Sequence, residues 1–169
     1  MCLVISGLVA GWRGKGIVIM RFHTVKEILD WTRCFHDKLA EDYEQLAEEH
    51  ERERVGMLLH YLAEHERALG EAIRHYEEDD IHDILGVAFA PDVELPSDLD
   101  ALCKAPDTID TASVLALALR FHEALEQVYQ KLAETAPSER IKALFENISN
   151  HEVKEKLRTV RDAGRLEDV

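Results

Sequence analysis

Apolar residues recur every three or four positions over four long stretches, and this spacing predicts four amphipathic helices. On the first, the stripe reads Ile28, Thr32, Phe35/His36, Leu39, Tyr43 and Leu46. On the second it reads Val55, Leu59, Leu62, His65/Glu66, Leu69 and Ile73. The third gives Leu115, Leu119, His122, Leu125, Tyr129 and Leu132, and the fourth Ile141, Phe145, Ile148, His151/Glu152 and Glu155. Thr24-Val-Lys-Glu27 has the form of a capping box and opens the first helix, which is expected to reach about Glu49. The second is expected over Arg52 to Glu78, and the third from Asp107 or Thr108 to Thr135. Ala136-Pro137-Ser138 ends the third, because proline is poorly placed inside a helix. The fourth is expected from Ser138 to Ala163, before Gly164.

The second half of the chain repeats the first. Shifted by 86 positions, residues 33–66 lie on 119–152 without a gap, and 12 of the 34 pairs are identical. Among them are Phe35/Phe121, His36/His122, Tyr43/Tyr129, Leu46/Leu132, His65/His151 and Glu66/Glu152. Each copy is a helical hairpin with a short turn. The connection between the copies, roughly 79–107, carries Gly86, Pro91, Pro96 and Pro106 and is expected to be mostly irregular. The fold class is therefore all-α: a ferritin-like antiparallel four-helix bundle made of two repeated hairpins joined by a long crossover. The crossover is expected to let the second hairpin start at the end where the first one started. The bundle is expected over residues 23–165, with a tail at 166–169. Residues 1–22 read as an extension, with Met20 the expected true start.

Polar residues interrupt the apolar stripes at the same depth in both repeats. His36, Glu66, His122 and Glu152 are expected to converge on the bundle axis, with Glu155 one turn on from Glu152. Asp37 and Glu123 stand about 100° round from their histidines, at the seam edge or outside it. Burying such groups costs several kcal/mol unless they are paired or bound to a cation. One solution is a metal held by imidazole and carboxylate, a mix that suits iron, manganese or zinc. The other is a metal-free set of His–Glu hydrogen bonds between the hairpins.

Composition narrows the partners. The formal charge is −14, which argues against nucleic acid and anionic membranes, whose phosphates need Lys and Arg. The apolar run from Cys2 to Trp12 is too short to span a bilayer. Three cysteines, Cys2, Cys34 and Cys103, show no CxxC spacing and are expected to form neither a disulfide framework nor a zinc knuckle. A cytoplasmic setting and a homodimer are the default expectations.

Two motifs carry a resemblance. His36…Tyr43-Glu-Gln-Leu46-Ala47 recurs as His122…Tyr129-Gln-Lys-Leu132-Ala133, and Ala63-Glu-His-Glu66-Arg-Ala-Leu69 lines up with Ser149-Asn-His-Glu152-Val-Lys-Glu155. In these, and over Thr24 to Ala163, the chain resembles rubrerythrins and their ferritin-like relatives. The resemblance implies a di-iron site to which each hairpin gives a Glu from its first helix and a Glu-x-x-His from its second. It carries over Glu66 and Glu152 directly. His36 and His122 stand where the family has its first-helix glutamates, and Leu69 and Glu155 stand where it has the motif histidines. The candidate ligands for iron or another divalent metal are His36, Glu66, His122 and Glu152, with Glu155 next and His65, His151, Asp37 and Glu123 in reserve. Oxidase or peroxidase-type activity is implied by the resemblance. The alternative reading is a metal-free scaffold or interaction protein with a structural His–Glu network.

Overall fold

The computed structural model describes residues 18–78, 81–95 and 110–167. In chain order the elements are β1 (Val18–Arg21), α1 (Val25–Glu49), α2 (Glu53–Glu78), α3 (His82–Leu85), β2 (Asp92–Leu95), α4 (Thr111–Glu134) and α5 (Glu139–Glu167). The four long helices form the expected all-α bundle. Among the described residues no helix is long and apolar enough to cross a membrane.

Local chemistry sets the helix ends. Thr24 caps α1, its hydroxyl accepting from the Glu27 N–H at 3.2 Å, while Glu27 accepts from the His23 N–H at 2.8 Å. α4 begins at Thr111, later than expected, because Asp110 and Ser113 form a reciprocal capping box. α5 continues past Gly164 to Glu167. A helical glycine costs only about 1 kcal/mol, so it is a weak stop signal.

The apolar stripes meet in two clusters at opposite ends of the bundle. One joins the start of α1 (Val25, Ile28, Leu29) to the end of α4 (Val128, Leu132) and the start of α5 (Ile141, Phe145). The other joins the end of α1 (Leu39, Tyr43) to the start of α2 (Leu58, Leu62) and the start of α4 (Val114, Ala118). Phe35 packs against both. The second hairpin thus starts where the first one turns, opposite to the expectation that it starts where the first one started. A returning second helix already ends beside the start of the first, so only a start at the far end requires a long crossover.

Residues 81–95 of the crossover carry regular structure where an irregular connection was expected. β2 pairs antiparallel with β1 in the register Val18↔Leu95 to Arg21↔Asp92. Val25 and Phe89 donate their N–H groups to the carbonyls of Val87 and His23, at 3.3 and 2.9 Å. Buried Phe22, Phe89 and Val93 close the first cluster from below. Phe22, one residue ahead of the start expected at residue 23, therefore packs on the bundle together with Phe89 and Val93. Cys34 is buried and disulfide-bonded, a single pair where no disulfide framework was expected. An odd count excludes a complete framework but not a single pair.

Asp110→Ala removes one of the two reciprocal cap bonds of α4. It is expected to lower the urea midpoint without changing the slope of the transition.

Candidate functional site

Between the two apolar clusters the four helices each contribute one ionisable side chain. His36 Nδ1 lies 2.7 Å from Glu66 Oε2 within the first hairpin, and His122 Nδ1 lies 2.9 Å from Glu152 Oε2 within the second. Each second nitrogen faces the other hairpin. His36 Nε2 is 3.2 Å from Glu152 Oε1, and His122 Nε2 is 3.6 Å from Glu66 Oε1. The result is a closed His–Glu–His–Glu ring in which every member touches two others. All four are between 0% and 2% exposed. The sequence separation within each hairpin pair is 30 residues, so the ring keeps the symmetry of the repeat.

The two kinds of contact are unequal. Those within a hairpin are hydrogen bonds. Of the atoms facing between hairpins, His36 Nε2, His122 Nε2 and Glu66 Oε1 are buried without a hydrogen-bond partner.

Burial disfavours the charged imidazolium of His36, but the carboxylates of Glu152 and Glu66 outweigh it and raise the pKa from 6.5 to about 10. His122 is raised likewise: burial opposes the charge, while Glu152 and Glu66 favour it. Burial would push the Glu152 carboxyl up, yet His36 and His122 bring it from 4.5 to about 2. Tyr43 and Tyr129, repeat mates, flank the ring. Burial raises both phenols well above their ordinary value, and the charges of Glu66 at Tyr43 and Glu152 at Tyr129 add to it.

Of the residues expected at the site, His36, Glu66, His122 and Glu152 come together. Glu155 does not join them. It lies with His65, whose Nε2 is 3.1 Å from Glu155 Oε2, and with His151, whose Nε2 is 3.7 Å from Oε1. Burial lowers the pKa of His65. Asp37 is half-buried at the α1–α2 seam, and Glu123 is exposed. Leu69, in a family ligand position, is core. The His65–Glu155 pair was legible only in part. His65 is one residue, hence about 100°, from Glu66 and cannot share its direction, but nothing local to α2 names Glu155 as its partner.

The donor set can be tested against a metal. Two imidazoles and two carboxylates suit iron, manganese or zinc. Each Nδ1 is already held by a carboxylate, which is how metal-bound imidazoles are oriented through their other nitrogen. His36 Nε2, His122 Nε2 and Glu66 Oε1, which have no hydrogen-bond partner, suit a metal as ligand atoms. Among the described residues, however, no three His, Cys, Asp or Glu side chains are arranged to hold an ion as they stand.

A crystal structure of a ferritin-like diiron-carboxylate protein from Thermotoga maritima is similar to this chain, with a TM-score of 0.56 and 17% identity over 82% of this chain and 94% of that one. The fold is ferritin-like. No family model and no curated protein matches the sequence.

The ring leaves a pH signature. His36 has its folded pKa above its unfolded one, so its contribution is full below pH 6.5 and lost as pH rises through about 10. Glu152 has its folded pKa depressed, so its contribution is full above pH 4.5 and lost as pH falls through about 2. His36→Ala strands two buried carboxylates and is expected to cost about 3–5 kcal/mol near pH 6. Urea titrations are expected to show the gap to wild type narrowing as pH rises towards 10. Tyr43→Phe removes a buried hydroxyl that has no hydrogen-bond partner. It is expected to leave stability within about 0.5 kcal/mol of wild type or to raise it.

Proposed function

We propose that this ferritin-like bundle binds one divalent metal ion, iron first, between His36, Glu66, His122 and Glu152. The observation that carries the reading is the set of buried atoms facing between the hairpins without a hydrogen bond: His36 Nε2, His122 Nε2 and Glu66 Oε1. In this reading those atoms and Glu152 Oε1 are the ligands, while the Nδ1–H groups keep their bonds to Oε2 and hold each imidazole in place. One ion is favoured over a pair on two grounds. The ring offers four ligand groups where the family uses six, and Leu69 supplies none. Two carboxylates with two neutral imidazoles also carry −2, which one divalent ion cancels. The likeness to a ferritin-like diiron-carboxylate protein supports the reading at the level of fold.

Bound iron would supply redox chemistry towards dioxygen or peroxide. The chain's own part is to exclude water, through Phe35 and the apolar clusters on either side, and to orient the imidazoles.

A metal-free reading is supported by a different observation. The ring neutralises itself, with His36 raised to about 10 and Glu152 lowered to about 2. The bundle would then be a scaffold or interaction protein latched by its His–Glu ring.

Elemental analysis of untagged protein from iron-supplemented cells separates the two. About one ion per chain is expected, lost in His36→Ala/His122→Ala and in the milder Glu66→Gln/Glu152→Gln, with circular dichroism confirming the fold. Folded wild type without stoichiometric metal would overturn the metal reading and leave the latch.

A further inference from the structure

Outside the ring, between α2 and α5, lies a second meeting of metal-ligating side chains. Glu155 is partly buried and receives two imidazoles, one on each oxygen: His65 at 3.1 Å and His151 at 3.7 Å. His65 is 7% exposed, and its Nε2 has no hydrogen-bond partner. His151 is 37% exposed in its side chain, so the cluster opens to water on that side. Arg158 also approaches Glu155 Oε2, at 3.8 Å, but is shared with Asp162 at 3.7 Å. The cluster occurs once. The repeat brings His65 and His151 to equivalent positions, but the mate of Glu155 is Leu69.

We propose that His65, His151 and Glu155 form a second cation site, separate from the ring, that takes a borderline divalent transition metal such as Zn2+ from solvent. Two imidazoles and one carboxylate suit such an ion, whereas calcium and magnesium prefer oxygen alone. His151 and Glu155 stand four residues apart on one helical face, a spacing that presents two ligands to one ion, and His65 supplies the third from the facing helix. Ligand atoms about 2.1 Å from a tetrahedral ion lie roughly 3.4 Å from one another. The separations of 3.1 Å to Oε2 and 3.7 Å to Oε1 run to different carboxylate oxygens and place each imidazole at about that distance from the carboxylate. The three side chains do not hold an ion as they stand, so binding requires a side chain to turn, His151 being the water-facing one, with water completing the shell. The site does not require metal in the ring. The ring's His122 has its imidazole centroid 6.0 Å from that of His65.

The test is Zn2+ titration of the full, chelator-stripped chain against a chromophoric competitor, with circular dichroism on every variant. His151→Ala and Glu155→Gln alter only the outer cluster, and each is expected to weaken Zn2+ binding at least about tenfold. Glu66→Gln/Glu152→Gln is expected to leave this binding in place. A smaller loss in either outer variant, or no Zn2+ bound by folded wild type, overturns the proposal. Zn2+ lost only in the ring variant also overturns it, while supporting the ring as the metal site. Binding lost only in the outer variants supports this site whatever the ring holds.

Discussion

An imidazole between two carboxylates can engage both of its nitrogens, and a carboxylate between two imidazoles can engage both of its oxygens. Four such groups in a cycle neutralise one another's charge, which is why they can stand in the middle of an apolar bundle. Any one of them alone would be a buried charge or an unsatisfied polar group, costing several kcal/mol. The cycle closes only when α1, α2, α4 and α5 are all in register at that depth. A slip of one residue on any helix would turn a ring member about 100° away from the axis. The ring thus fixes how the hairpins meet, and the apolar clusters at either end supply most of the burial that holds them there.

The symmetry of the ring follows from the repeat, and so does the point at which the symmetry fails. His36 and His122, and Glu66 and Glu152, superimpose under the 86-residue shift and play the same parts. The next turn of the second helices does not. Leu69 packs into the core, whereas Glu155 stays near the surface and draws in His65 and His151. The same position of the repeat is given to packing in one hairpin and to an acid in the other. The two hairpins are therefore equivalent at the ring and distinct just outside it.

Much of this was legible in the residues. Apolar spacing and the internal repeat were enough for four helices, two hairpins and the depth of the polar layer. Helix ends were less secure. Asp110 and Ser113 outcompeted Asp107 and Thr108 as the cap of α4, and Gly164 did not stop α5. The ribbon between β1 and β2 was invisible because four-residue strands carry too little pattern to register. At the site, helical phase correctly brought His36, Glu66, His122 and Glu152 together. It could not say which nitrogen faces which oxygen, since that depends on how two helices distant in sequence lie against each other. For the same reason Glu155 was assigned to the ring on its distance from Glu152, when its direction leads to His65.

The strength of the ring also bears on what the bundle can bind. A metal in this position must replace contacts that already neutralise the site, so the imidazolium state that stabilises the bundle opposes the ion. The contacts within each hairpin need not be lost, because Nδ1–H to Oε2 bonds are compatible with Nε2 and Oε1 serving a metal. Only the longer approaches between hairpins, at 3.2 and 3.6 Å, compete with an ion. These are the weakest links of the cycle and the ones without aligned hydrogen bonds. An ion would thus enter where the protein holds itself together least tightly, and in doing so would take over the task of joining the two hairpins.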